Sequence, residues 1–208
     1  AAIESLKTTL ALAPTNADAY AALIALYMKE GKSGDAVQLT QALQKQLPKL
    51  PLGFLLEGDV QMQAKKYAEA AAVYRRAAAL GDSGLVVIKL HRAERLAGNA
   101  QQAEALVGKW LKDHADDLPV RQYLAETAIS DGDFKLAAER YLPVIKLQPN
   151  NVAALNNLAW AYYQLKDGRA LATAELALKL QPKHPGILDT MGMILLESQP
   201  QKGADYLQ

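Results

Sequence analysis

Residues 121–150 read RQYLAETAISDGDFKLAAERYLPVIKLQPN, and this stretch decides the fold. Two runs rich in strong helix formers stand on either side of Gly132, where a positive φ costs glycine little. Pro149 closes the second run because proline cannot continue a helix. The same pattern in residues 15–48 places helices over 17–30 and 34–47. The stretch therefore predicts a pair of helices joined by a short turn.

The helix pair recurs along the chain with a period of about 34 residues. Subtracting neighbouring positions gives steps of 33 or 34 for an alanine ladder at Ala2, Ala36, Ala70, Ala103, Ala137, Ala170 and Ala204. One such pair cannot bury its apolar face alone, so the pairs must stack. The period predicts an all-α chain, 1–208, forming one α-solenoid of antiparallel helix pairs. We expect a lone second helix over 1–14, full repeats over 15–48, 49–82, 83–116, 117–150 and 151–183, and a partial repeat over 184–208.

The fourth repeat resembles the tetratricopeptide repeat (TPR). Its Leu124-Ala125 pair, its Gly132 turn, and Ala137 followed four residues later by Tyr141 stand where that family has its signature residues. The resemblance covers essentially the whole chain and implies a right-handed superhelix that binds proteins. The family's opening Trp position is held here by Tyr20, Phe54, Val87, Arg121, Leu155 and Leu188, of which Arg121 departs from the pattern.

Close packing explains the small residues of this pattern. We expect a small residue on the first helix of each pair to face the alanine ladder on the second, so that the backbones approach. These small residues are Gly58, Ala125, Ala159 and Gly192. His91 holds the equivalent place in the third repeat, which we expect to pack differently.

A narrower stretch resembles the C-terminal repeats of bacterial PEP-CTERM/exosortase-system TPR lipoproteins. It consists of Asn156-Asn157-Leu158-Ala159-Trp160, then Arg169-Ala170-Leu171, then residues 189–195, DTMGMIL. Met193 replaces the second Trp of that pattern. The resemblance implies a lipid-anchored, periplasm-facing envelope protein linked to exopolysaccharide production and surface-protein sorting; a cytoplasmic protein is the alternative.

Composition excludes several classes of function. The net charge of +1, with both signs interspersed, gives no attraction for nucleic acid. No apolar run is long enough to span a membrane. The absence of cysteine removes disulfides and thiolate chemistry. The chain opens without Met and closes within a helical pattern, so we expect a fragment of a longer repeat protein.

Motifs for catalysis or metal binding are weak. Gly81-Asp82-Ser83-Gly84 matches the nucleophile motif of trypsin-like proteases but falls where two repeats join, so we interpret it as a turn. Gly31-Lys32-Ser33 lacks the earlier glycine and strand of a phosphate-binding loop. The three histidines lie in different repeats, without the clustered ligands of a zinc site. We therefore expect a protein that is not an enzyme and has no cofactor or metal.

A binding surface remains. In the resembled family the first helices line a concave groove, through residues at i, i+4 and i+7 that share one helical face. Carried over, the candidate partner-binding residues are Arg92, Arg95, Gln122, Glu126, Asn156, Trp160, Tyr163, Asp189 and Met193. Trp160 and Tyr163 are the better anchors, for an extended or a helical peptide. The alternative is that Trp160 packs on the neighbouring helix and Arg95 pairs with a local carboxylate.

The ends of the solenoid look uncapped. The apolar residues concerned are Ile3, Leu6 and Leu10 at one end and Ile194, Leu195 and Leu207 at the other. They predict either further repeats or end-to-end self-association. For the whole chain, the sequence favours a non-catalytic scaffold for a protein or peptide partner. The alternative is a regulatory arm of an enzyme such as a glycosyltransferase.

Overall fold

A computed structural model describes residues 1–207, and within them it contains thirteen α-helices and no strand. The all-α prediction is confirmed. The helices are α1 (Ala2–Leu12), α2 (Ala17–Lys29), α3 (Ser33–Gln46), α4 (Leu52–Gln63), α5 (Tyr67–Ala78), α6 (Gly84–Leu96), α7 (Ala100–Asp113), α8 (Leu118–Ser130), α9 (Phe134–Leu147), α10 (Val152–Gln164), α11 (Ala170–Leu180), α12 (Pro185–Leu196) and α13 (Pro200–Tyr206).

Side-chain caps fix where several helices begin. In each case an Asn or Asp side chain accepts the backbone N–H three residues further on, and so satisfies one donor that the first turn leaves unpaired. The capping residues are Asn16, Asp117, Asp133 and Asn151. Three of these caps start the first helix of a pair, and two of those helices, α8 and α10, carry predicted partner-binding residues.

The turns inside the helix pairs repeat one backbone conformation. Gly31, Gly98 and Gly132 have φ of 74°, 86° and 73°, which confirms the positive φ predicted at Gly132. Two lysines adopt the same left-handed conformation at the corresponding places, Lys65 with φ 58° and Lys166 with φ 55°. An L side chain is strained there, so the turn geometry is imposed by the helix packing rather than by glycine alone.

Residues 1–207 fall into two compact units that divide between Ala115 and Asp116. The N-terminal unit contains α1–α7 and the C-terminal unit α8–α13. Within each unit every helix packs against the next, and first helices of successive pairs also touch: α2 with α4, and α10 with both α8 and α12. The proposed repeat boundaries stay a prediction.

The interior of each unit confirms the alanine ladder. Ala36, Ala70, Ala103 and Ala137 are fully buried, and Ala170 is nearly so. The ladder fails at its ends: Ala2 is exposed, and in α13 Gly203 rather than Ala204 is buried. A Cβ on Gly203 would lie 2.7 Å from the Leu196 backbone N, so α13 approaches α12 too closely for alanine.

The contacts of Gly58 and Gly192 differ from the expected contacts with the alanine ladder. A Cβ on Gly58 would lie 2.7 Å from Cζ of Tyr74, and closer to other ring atoms, so this glycine faces an aromatic ring rather than Ala70. Gly192 faces the side chain of Leu207 in the same way. His91 is fully buried, with Nε2 3.5 Å from Oε1 of Glu104. Gly58 and Gly192 therefore make room for large side chains, Tyr74 on α5 and Leu207 at the end of α13.

One further expectation needs correction. Leu195 was predicted to be part of an uncapped end, but it is 1% exposed because α13 packs on α12. At the opening aromatic position Tyr20, Phe54, Val87 and Leu155 are buried, whereas Arg121 and Leu188 are half-buried. In the fourth and sixth repeats the residue one place earlier, Val120 or Ile187, is fully buried instead.

The strained lysines give a prediction about stability. We expect Lys65→Gly and Lys166→Gly each to raise the free energy of unfolding by about 0.5–1 kcal/mol, since relief of the left-handed strain exceeds the added entropy of the unfolded chain. Urea denaturation measures the change. Gly132→Ala is the reverse control and should lower stability by about 1 kcal/mol. Unchanged or lower stability in both lysine variants would contradict the account of these turns.

Candidate functional site

The motifs set aside in the sequence do lie in connections between helices. Gly81, Asp82 and Ser83 join α5 to α6, with Gly84 opening α6, and Gly31 and Lys32 join α2 to α3. Within residues 1–207 no three His, Asp or Glu side chains are grouped so that they could hold a metal ion. None of the described helices is long and apolar enough to cross a membrane. The candidate site is therefore sought on the helix faces.

Seven of the nine predicted partner-binding residues lie in the C-terminal unit. Gln122 and Glu126 are on α8, and Asp189 and Met193 on α12. Between those helices α10 carries Asn156, Trp160 and Tyr163, which we call the α10 face. Glu126 and Asp189 are exposed, and the other five are half-buried. Because α10 packs against both α8 and α12, the structure brings these three helices together.

Two aromatic rings form the apolar part of the α10 face. The ring centroids of Trp160 and Tyr163 lie 5.5 Å apart with an interplanar angle of 39°. Tyr163 packs against the core on one side and on the other lines a cavity of about 240 Å³ with Leu171 and Ile194. Trp160 keeps part of its surface open to solvent. The pair presents an aromatic surface of the kind that anchors binding partners.

The polar part of the α10 face has an unpaired atom. The side-chain oxygen of Asn156 is shielded from solvent and accepts no hydrogen bond within residues 1–207. Its neighbour Asn157 is satisfied, since its Nδ2 donates to the Tyr141 hydroxyl at 2.8 Å. Leaving a buried acceptor unpaired costs about 1–3 kcal/mol, which a bound donor could recover.

Tyr141 connects the α10 face to the charge on α8. Burial raises the pKa of Tyr141 to about 12, the nearby charge of Glu126 adds to the rise, and the Asn157 hydrogen bond opposes it. The phenol therefore stays protonated. The negative charge of Glu126 therefore acts on the hydrogen-bonded pair of Tyr141 and Asn157, which lies beside the α10 face.

The other two predicted residues, Arg92 and Arg95, lie on α6 in the N-terminal unit. Arg92 is exposed and lines a cleft of about 430 Å³ with Asp59, Tyr74 and Lys89. Asp59 accepts from the Tyr74 hydroxyl and from Lys89 Nζ, both at 2.6 Å. Burial and the Asp59 hydrogen bond raise the pKa of Tyr74, while the charge of Arg92 opposes this rise.

Sequence reasoning missed the residues that line the same cleft as Arg92. Lys89 precedes it by three residues on the same face of α6, a spacing that could have been read as a pair of cations. Tyr74 comes from a second helix, and nothing in the sequence relates it to Asp59.

A further cavity of about 530 Å³, between α5, α6 and α7, was also missed. There the rings of Trp110 and His114 stack 3.7 Å apart, and His114 Nε2 lies 3.2 Å from Oδ2 of Asp82.

Comparison with known proteins identifies the repeat. Two family models, both described as tetratricopeptide repeat, match residues 1–54 and 124–185. The chain is 31% identical over 147 residues to a TPR repeat-containing protein of Pseudomonas aeruginosa, covering 67% of this chain and 24% of that protein. It is 39% identical over 72 residues to the photosystem I assembly protein Ycf3 of a Synechococcus strain, covering 33% of this chain and 42% of Ycf3. The chain thus spans less than half the length of either relative.

Solved structures show the same fold at lower identity. A C-terminal part of a TPR repeat-containing protein from Cytophaga hutchinsonii matches with a TM-score of 0.68 and 13% identity, covering 89% of this chain and 76% of that one. YrrB, described as a TPR protein with an unusual peptide-binding site, matches with a TM-score of 0.55 and 17% identity, covering 89% of this chain and 97% of YrrB. These likenesses bear out the TPR solenoid as the fold class.

The two adjacent asparagines give a matched test of the unpaired oxygen. We expect Asn156→Leu to leave the free energy of unfolding unchanged or to raise it by about 1 kcal/mol, because it removes an unsatisfied acceptor. Asn157→Leu should lower it by about 1–3 kcal/mol, because it leaves the buried Tyr141 hydroxyl unpaired. Chemical denaturation of both variants measures the difference. Equal losses in the two variants would show that Asn156 is satisfied in the folded protein.

Proposed function

Because the chain belongs to the tetratricopeptide-repeat family, we propose that it is a non-catalytic scaffold that binds a protein or peptide partner on the exposed face of its first helices. The observation that carries this proposal is the α10 face. It combines a half-buried aromatic pair with a buried oxygen that lacks a donor. Aromatic anchors beside unsatisfied polar groups are suited to recognition.

The α10 face favours an extended peptide over a helical one. An extended chain exposes its backbone N–H groups, whereas a helix uses nearly all of its own internally. To accept such an N–H, the shielded oxygen of Asn156 has to turn toward the surface when the peptide binds. Trp160 and Tyr163 would then hold an apolar or flat side chain of the peptide. Glu126 and Asp189, exposed on the flanking helices, add negative charge beside the peptide.

The relatives support a role in binding or assembly. YrrB is described by its peptide-binding site and Ycf3 by photosystem I assembly. For this chain, a setting in the bacterial envelope, in exopolysaccharide production or surface-protein sorting, is a narrower proposal. It is supported by the resemblance of residues 156–160 and 189–195 to the repeats of the PEP-CTERM-system lipoproteins.

A peptide selection tests the proposal. Peptides enriched on the wild-type protein from a displayed random library should bind Trp160→Ala about tenfold or more weakly, since a central aromatic anchor carries much of the binding energy. Leu176→Ala is the matched control, because Leu176 is an exposed apolar residue on α11 of the same unit. Fluorescence anisotropy measures the affinities, and thermal unfolding checks that both variants fold. If the selected peptides bind both variants as tightly as the wild type, the α10 face is not the binding surface.

A further inference from the structure

The cleft that contains Arg92 offers a second binding site, inside the N-terminal unit. It is formed by α4, α5 and α6 and is lined by Asp59, Met62, Gln63, Tyr67, Tyr74, Lys89, Arg92 and Leu96. We call it the Arg92 cleft. Its volume, about 430 Å³, is enough for one or two side chains of a peptide. None of its residues belongs to the α10 face, so it can be tested separately.

Hydrogen-bond donors exceed acceptors among the charged groups of this cleft. Lys89 has three N–H donors and gives one to Asp59. Arg92 has five, and within residues 1–207 its guanidinium has no hydrogen bond or ion pair. The one carboxylate, Asp59, already accepts from both Lys89 and Tyr74 through the same oxygen. Because it contains two cations, Lys89 and Arg92, and one anion, Asp59, the cleft carries a net charge of +1.

Tyr74 positions Asp59 and, through it, Lys89. Tyr74 is almost completely buried, and its hydroxyl holds the Asp59 carboxylate in place. Lys89 lies 6.0 Å from the centroid of the Tyr74 ring, on the same side of the cleft as Asp59. Asp59 and Tyr74 therefore hold the Lys89 ammonium in a fixed position. Two of its N–H groups and the whole Arg92 guanidinium are left for an incoming group.

We propose that the Arg92 cleft binds the side-chain carboxylate of an acidic residue in the peptide partner, with Arg92 as a bidentate ligand and Lys89 as a second donor. A guanidinium matches the two oxygens of a carboxylate in one plane. Met62, Leu96 and the ring of Tyr67 supply apolar walls beside the two cations. The bound segment therefore carries an apolar residue next to its acidic one. The peptide nature of the partner rests on the proposed function; the charge preference rests on this cleft.

Matched peptides test the charge preference. The probes are a capped Leu-Glu-Leu peptide and the same peptide with Gln in place of Glu, titrated to millimolar concentration and followed by NMR shifts of α4 and α6 amides. We expect the Glu peptide to bind about tenfold more tightly than the Gln peptide, because charged hydrogen bonds are roughly twice as strong as neutral ones. The difference should shrink with added salt.

Substitutions of Arg92 test whether this residue causes the preference for the Glu peptide over the Gln peptide. Arg92→Gln should abolish the Glu over Gln difference, and Arg92→Lys should retain only part of it, because an ammonium keeps the charge but loses the bidentate geometry. Lys45→Gln makes the same change of charge at an exposed position on α3 of the same unit and should leave the difference intact. Since Arg92 is exposed, none of these changes disturbs the core.

The result separates this inference from the proposed function. Equal binding of the two peptides, no binding of either, or a preference that survives Arg92→Gln would overturn it. Trp160→Ala, which tests the α10 face, should leave the preference at the Arg92 cleft unchanged. The inference can therefore fail while peptides selected on the whole protein still depend on Trp160.

Discussion

The close approach of α4 and α5 is the constraint on which the N-terminal unit depends. At Gly58 the Tyr74 ring occupies the space that any Cβ would need, and that ring is nearly fully buried. Its hydroxyl is also held by Asp59, so the ring cannot move aside without losing a hydrogen bond. The small buried residues Ala36 on α3 and Ala103 on α7 likewise contribute to the packing of the other second helices of this unit. Packing at this density tolerates little change of volume.

This packing also determines which side chains remain for binding. The small residues of a first helix face the second helix of the same pair. The residues at i, i+4 and i+7 lie on another face of the first helix and are left for a partner. On α10 those residues include Asn156, whose unpaired oxygen costs stability in the free protein. Tyr74 links the two roles in the N-terminal unit, because the residue that fills the space at Gly58 also holds Asp59 in the Arg92 cleft.

Much of the fold could be predicted because helix packing repeats a simple pattern of residue sizes. The alanine ladder and the turn glycines follow from the 34-residue period, and the structure bears them out. The left-handed Lys65 and Lys166 could not be foreseen from composition, since packing overrides their local preference. Gly203 replaces Ala204 in the core because the contact with α12 is closer than a Cβ allows.

From the sequence, the candidate site could be predicted only as a set of residues on one face of the first helices. Asn156 and Asn157 are adjacent residues of the same type, so the sequence does not distinguish them. Only the position of the Tyr141 hydroxyl shows that Asn157 is paired and that the Asn156 oxygen is not. The ion pair between Lys89 and Asp59 joins residues 30 positions apart, so local spacing does not reveal it. Whether the nine predicted residues bind a partner stays a prediction.

Substitution of two glycines in the same unit tests the packing constraint most directly. Gly58→Ala should lower the free energy of unfolding by about 1–3 kcal/mol, because the added methyl overlaps a ring that is fixed in place. Gly108→Ala, in α7 with no atom within 4 Å of the added methyl, should raise it by about 0.5–1 kcal/mol. Urea denaturation of both variants measures the two changes. Opposite signs are the predicted result; a Gly58→Ala variant as stable as Gly108→Ala would contradict the account.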